Sequence, residues 1–152
     1  MASVPKPKHD GSFSERMFQM IVRLHIFFYR LTGGAIGHKS GKTQMLLLTT
    51  TGRKSGQKRT LPVMYVDTDQ GYAVVASYAG SDRHPAWYLN LSAAPDVDIQ
   101  VGSKKTAAKA ETVPDGNRYS DIWQRVVEMY PDFALYKERT ERHIPIVELV
   151  PV

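Results

Sequence analysis

The sequence predicts one mainly β domain, an antiparallel and partly closed barrel with a few helices packed round it. Three observations predict this. Short β-type apolar runs follow one another from Gln44 onward, turn residues separate them at hairpin length, and helical periodicity is confined to a few segments. At 152 residues the chain has the size of one ordinary domain and can bury a core without metals or disulfides. Its 42% hydrophobic and 23% charged residues match globular usage, which argues against a disordered chain and an all-membrane protein.

Residues 1–11 are polar, carry proline and lysine, and read as a disordered arm. Residues 12–34 read as an amphipathic N-terminal helix, and 35–152 as the barrel domain. Ser12 followed by Glu15 has capping-box spacing; Met17, Met20, Ile21, Leu24, Phe27, Phe28 and Leu31 then recur with helical period up to Gly33-Gly34. Arg16, Arg23, His25 and Arg30 interrupt the apolar run, so the segment reads neither as a membrane span nor as a signal peptide. Two readings stay open: the apolar face packs on the body of the domain, or it lies on a membrane surface, as Phe-rich and Arg-bearing helices do.

Strands are expected at 45–51, 60–67, 71–77, 97–101 and 106–113, with a closing strand at 144–150. The turns Asp69-Gln70-Gly71 and Val101-Gly102-Ser103 divide neighbours. Residues 85–91 read as a short helix. Asn117–Met129 reads as a longer one with Ile122, Trp123, Val126 and Val127 on its apolar side. There is no internal repeat of domain size and no linker.

The absence of cysteine removes disulfides, thiolate metal sites, iron–sulfur clusters and thiol catalysis together, and points to a reducing compartment, the cytoplasm by default. Twenty Lys and Arg against fifteen Asp and Glu leave a formal charge of +5, which suits an acidic partner: phosphate, nucleic acid, anionic lipid or a polyacidic cofactor. The charge is concentrated in TTTGRKSGQKRTLPV, residues 49–63, where Arg53, Lys54, Lys58 and Arg59 and two glycines lie between two strand-like runs. Cations at a hairpin tip, with glycines that free backbone N–H groups, make an anion site.

Other constellations are weaker. GHKSGKT at 37–43 has three residues between its glycines where a P-loop needs four, and a strand follows it where a helix is required. The five histidines show no metal-ligand spacing, so no metal is expected. Ser81, Asp82 and His84 crowd into one turn, which excludes triad geometry. In MYPDFALYKERTERHIP, Tyr130, Phe133 and Tyr136 recur every third residue, so a helical turn puts them along one side. They form either a packed aromatic face or, with Trp87 and Tyr78, the wall for a flat substrate.

At LLLTTTGRKSGQKRTLPVMY and ASYAGSDRHPAWYLNLSAAP the chain resembles the deazaflavin-dependent nitroreductase family, which uses coenzyme F420. The resemblance runs from about residue 13 to the C-terminus. It implies a split β-barrel of the FMN-binding-like type and two-electron reduction of a flat acceptor by the reduced deazaflavin. The coenzyme is a phosphodiester with a tail of glutamates, and Arg53, Lys54, Lys58 and Arg59 match the positions where the family holds phosphate and tail, with Ser55 and Gly56 helping to cradle them. By the same resemblance Pro62, Val63 and Met64 flank the deazaflavin ring and Ala76, Ser77, Tyr78, Ala79 and Gly80 lie along it. Trp87 and Asn90 fix the closing loop, by direct contact or as structural support.

Nitroreductase members present tyrosines from the segment matching 130–136. Tyr130 and Tyr136 are therefore the candidates for hydrogen-bonding the acceptor, and Tyr78, Tyr130, Phe133 and Tyr136 for lining its pocket. Phe133 departs from the pattern, which disfavours nitroimidazole activation and leaves quinone reduction open. A membrane-borne quinone would give the N-terminal helix a purpose, at the inner face of the cell membrane. Pairing of two barrels across exposed sheets, as a homodimer, is a further expectation. Two alternatives differ in class: an FMN-binding split barrel, which needs fewer cations, and a basic nucleic-acid-binding barrel, which needs aromatics among its cations on one sheet face. The aromatics here lie far from the cations in sequence, so no nucleic acid is expected.

Overall fold

The computed structural model describes residues 13–152; Ser12 of the expected capping box and the expected arm at 1–11 lie outside the described residues. Helix α1 (Phe13–Leu31) leads into strands β1 (Lys39–Ser40), β2 (Thr43–Thr51), β3 (Lys58–Asp67) and β4 (Tyr72–Val75). After a 3-10 turn at Tyr78–Gly80 come α2 (Ala86–Ala93), β5 (Asp96–Val101), β6 (Lys104–Thr112), α3 (Asn117–Met129), α4 (Asp132–Glu138) and β7 (Ile146–Pro151).

The strands run in the order β1-β2-β3-β4-β7-β6-β5, and β2 also pairs with β5. Every pairing is antiparallel. The barrel is thus closed, where the sequence predicts partial closure. The reason is β2, which bonds to β3 from Met45 to Thr51 and to β5 through Leu47, Leu48 and Thr49. One gap remains in the wall: β4 pairs with Tyr65, Val66 and Asp67, so among the described residues the first half of β3 has a strand neighbour on one side alone. Pro62 lies in that half, where an edge tolerates a residue without an N–H.

Alternation along the strands divides the interior in two. Leu46 and Leu48 of β2, Val74 of β4, Val97 and Ile99 of β5, and Val147 and Leu149 of β7 fill the barrel, joined by Trp87 and Leu91 of α2. The opposite faces of β3, β4 and β7 offer Val66, Ala73 and Ile146, on which α3 and α4 lay Tyr119, Ile122, Val126, Phe133 and Tyr136. Glu148 shares this outer side of β7. It is 5% exposed and receives Arg118 Nε at 2.8 Å and Nη2 at 2.6 Å; the same Nη2 reaches Asp69 Oδ1 at 2.7 Å.

Helix α1 departs from the first of its two readings. The stripe expected to pack inward is exposed: Met20 and Ile21 at 56%, Phe27 at 58%, Leu31 at 68%, with Met17, Leu24 and Phe28 also open. The opposite side faces the barrel through Val22, His25, Ile26 and Tyr29, at spacings of three and four. Tyr29 is the helix's one buried residue. Its hydroxyl receives the Gly102 N–H at 2.8 Å and lies 3.0 Å from the Met45 carbonyl and 3.1 Å from His38 Nδ1. His25 Nε2 is 3.0 Å from the Gly37 carbonyl. The polar contacts of Tyr29 and His25, flanked by Val22 and Ile26, dock α1.

Candidate active site

The turn between β2 and β3 is shaped by its own backbone. Gly56 N–H bonds to the Gly52 carbonyl at 2.7 Å, Gly52 N–H to Gln57 O at 2.8 Å, and Ser55 Oγ receives the Gln57 N–H at 3.2 Å. Gly56 has φ of 69°, the left-handed conformation a glycine adopts without strain. Arg53, Lys54, Lys58 and Arg59 are all exposed on this turn and the start of β3. Asn90 of α2 fastens it from below. Its Oδ1 accepts both the Arg53 backbone N–H and Arg53 Nη1 at 3.2 Å, while its Nδ2 donates to Thr50 Oγ1 at 3.3 Å.

Beside the turn opens a cleft of about 610 Å³. Arg53, Lys54 and Arg59 line one side and Phe18, Tyr78 and Trp87 contribute aromatic surface, with Thr60 and Leu61 of β3 between; among the described residues no Asp or Glu lines it. The N-terminus of α2, Ala86 and Trp87, also faces the cleft and has no side-chain cap. Cations, uncapped helical N–H groups and a glycine turn form a donor set for an anion. The aromatic surface suits a flat apolar group attached to that anion.

A profile of the F420H2-dependent quinone reductases matches residues 21–151. The chain belongs to this family. It is 43% identical over 132 residues to an F420H2-dependent quinone reductase of Mycobacterium tuberculosis, spanning 85% of this chain and 89% of that one. The solved structure of an F420H2-dependent reductase is 40% identical, with a TM-score of 0.63, over 69% of this chain and 92% of its own. A second solved structure, described only as a domain-swapped dimer, is 34% identical with a TM-score of 0.67, over 91% of this chain and 99% of its own. HutZ, the heme storage protein of Vibrio cholerae, shares the fold alone at 18% identity, with a TM-score of 0.55, over 86% of this chain and 90% of its own.

With the family come the cofactor and the reaction: the F420H2-dependent quinone reductases are oxidoreductases that use coenzyme F420, and this chain is one of them. The expected deazaflavin and barrel architecture both hold. The cleft fits such a cofactor in its donor set, because phosphate and glutamate carboxylates need cations without competing acids and the deazaflavin needs apolar walls.

The structure gathers some of the sequence-derived candidates and separates others. Arg53, Lys54, Ser55, Arg59, Tyr78, Trp87 and Asn90 meet at the cleft. Lys58 does not line it; its Nζ lies 3.3 Å from Asp98 Oδ2 on β5. Val63 packs toward the barrel interior and Met64 toward the helix-covered side, so Arg59, Thr60 and Leu61, rather than Pro62, Val63 and Met64, form the β3 wall of the cleft. Ala76, Ser77 and Gly80 are buried behind Tyr78 and Ala79. A Cβ on Gly80 would meet the Tyr136 carbonyl at 2.7 Å, so α4 presses directly on this loop.

Tyr130, Phe133 and Tyr136 do lie along one side, with successive rings 5.7 Å apart in edge-to-face contact. They pack into the core under α3 and α4 and do not line the cleft. The Tyr130 hydroxyl donates to Asp132 Oδ2 at 3.2 Å. Burial first, and then a hydrogen bond with Tyr130, raises the pKa of the Tyr136 hydroxyl above its ordinary value. Two cleft-related residues escape the sequence reading. Phe18 reaches the cleft from the side of α1 away from its apolar stripe, and Arg142 grips the loop that carries Tyr78.

Proposed function

We propose that the cleft between the 52–59 turn, α2 and Tyr78 holds F420, with its phosphodiester and glutamate tail at Arg53, Lys54 and Arg59 and its deazaflavin against Trp87 and Tyr78. The observation that carries this reading is a cleft lined by three cations and three aromatic rings with no acidic residue among the described ones. When bound, the reduced deazaflavin supplies a hydride to the quinone. The chain's part is to hold donor and acceptor in register and to exclude water. Phe18 and Tyr78 serve as apolar walls for the quinone, and the Tyr78 hydroxyl gives that wall a polar handle. Tyr130, Phe133 and Tyr136 back this wall by supporting the 76–80 loop from behind.

The outward stripe of α1 supports peripheral membrane contact as the source of quinone. Among the described residues no helix is long and apolar enough to cross a membrane. Met17, Leu24, Phe27, Phe28 and Leu31 are nonetheless open, with Arg16, Arg23 and Arg30 exposed beside them, the arrangement of a helix lying in the lipid interface. The domain-swapped dimer among its structural neighbours supports self-association of this chain.

Fluorescence titration with oxidised F420, tailed and tail-less, and with FMN tests the cofactor assignment. Tight binding of tailed F420, weaker binding of the tail-less form and no FMN binding are expected. Preference for FMN overturns it. Co-sedimentation with anionic vesicles tests the membrane contact, which absence of vesicle binding overturns; sedimentation in free solution reads self-association.

A further inference from the structure

The loop between β4 and α2 has a backbone shape its residues do not favour. Tyr78 and Ala79 have φ of 47° and 51°, and Gly80 follows at 73°. Three successive residues are left-handed, and two of them carry a Cβ that this region disfavours. Within the turn, Gly80 N–H bonds to the Ser77 carbonyl at 2.9 Å and Ser81 N–H to the Tyr78 carbonyl at 3.0 Å.

Two arginines from the segment between α4 and β7 take the carbonyls of this loop. Arg142 Nη2 donates to Ala76 O at 3.1 Å and Ser77 O at 2.7 Å, and its Nε to Ser81 O at 2.7 Å. Its Nη1 donates to His143 O and faces His84 Nδ1, both at 3.3 Å. Arg139 Nη1 donates to Ala79 O at 3.1 Å. A guanidinium is a rigid planar fork of five donors. Here it pins the carbonyls on both sides of the left-handed residues, so the chain between them must make its reversal in a fixed span. That span carries the Tyr78 side chain into the cleft.

We propose that Arg142 is a positioning residue for the coenzyme cleft, acting through Tyr78: its bonds to residues 76, 77 and 81 impose the left-handed turn that sets the Tyr78 ring against the deazaflavin. This rests on the cofactor assignment made above. A lysine retains the charge but lacks the fork, so charge alone does not substitute for it.

The test compares wild type, Arg142→Lys, Arg142→Ala, Tyr78→Ala and the double variant Arg142→Ala/Tyr78→Ala in the full-length chain. Amide hydrogen exchange without coenzyme reads the loop, and F420 titration reads the cleft. Exchange at Gly80 and Ser81 is expected to rise in both Arg142 variants while Ile99 in β5 stays protected. F420 affinity is expected to fall about tenfold in Arg142→Ala, with ethylguanidinium restoring it, and the double variant should bind no worse than Tyr78→Ala. Wild-type affinity in Arg142→Lys and Arg142→Ala, or fully additive losses in the double variant, overturns the proposal. If Arg142→Ala does not fold, Arg142→Lys decides by the same two readouts. If wild type binds no F420, the cofactor assignment fails, and unchanged exchange at Gly80 and Ser81 separately rejects the clamp.

Discussion

Asn90 holds Arg53 twice, accepting the backbone N–H and Nη1 on one oxygen while its amide nitrogen reaches Thr50. It is 6% exposed, so the turn's leading cation is tied to a buried residue in the middle of α2. Replacing Asn90 with Ala removes these bonds without touching any charge. At about 1 kcal/mol per hydrogen bond, F420 affinity should fall at least about fivefold. The titration used for wild type measures it; unchanged affinity would show that the turn holds its shape unaided.

The cations of the turn should not contribute equally. Alanine at Arg53, Lys54 or Arg59 should weaken F420 binding, each by about fivefold, the equivalent of a close pair worth on the order of 1 kcal/mol in a water-like dielectric. The loss should grow with the number of glutamates and shrink in high salt. Lys58 is engaged with Asp98 and does not line the cleft, so Lys58→Ala should bind nearly as wild type. Equal losses at all four positions would place the tail along β5 instead.

Hydroxyl removal separates the cleft tyrosine from the packed ones. Tyr136→Phe should cost about 1 kcal/mol of stability, as expected for one buried hydrogen bond, with little change in menadione reduction. Tyr78→Phe should slow the reaction. Steady-state kinetics beside urea unfolding distinguishes them. A slow Tyr130→Phe or Tyr136→Phe enzyme of normal stability would return those hydroxyls to the acceptor.

His84 and Glu148 contribute to the pH dependence of stability in separate windows. His84 is held below the ordinary imidazole value by burial, then by Arg142 and His143. The unfolded chain therefore binds more protons below about pH 6.5, and stability should drop as pH falls through that point, levelling off below the folded value. Glu148 is held low mainly by its hydrogen bonds from Arg118. Its contribution is present above the ordinary glutamate range and is lost as pH falls through the lower folded value. Urea unfolding between about pH 7.5 and 3 should show both losses; His84→Gln should remove the first and Glu148→Gln the second.

The exposed stripe of α1 predicts a separable membrane phenotype. Leu24→Glu with Phe28→Glu alters side chains that are 48% and 41% exposed, so the barrel should unfold as in wild type while vesicle binding disappears. Loss of folding instead would mean that the stripe is buried against another surface.

The fold was legible where pattern and packing agree. Alternating runs located the strands, and α3 falls on Asn117–Met129 as its apolar side implied. The barrel's closure was not legible, because Leu46, Leu47 and Leu48 are all buried and a continuous apolar run does not reveal a second neighbour. The orientation of α1 went the other way from its periodicity, since the docking contact is the hydroxyl of one tyrosine among backbone groups from distant segments. At the cleft, the cationic turn announced itself by local density of charge. Lys58 belongs to that density yet pairs across to Asp98, and Arg142 reaches its loop from over sixty residues downstream, a separation that no local motif records.

The strand order also fixes when the barrel can exist during synthesis. β7 slots between β4 and β6, so until Ile146–Pro151 leaves the ribosome both neighbours present open edges and the wall has a missing stave. Helix α1 precedes every strand and needs none of them to form its apolar stripe. The nascent chain therefore presents the apolar stripe of α1 throughout the making of the barrel. On the membrane reading of that helix, delivery to a surface comes before enzyme competence in the life of each molecule.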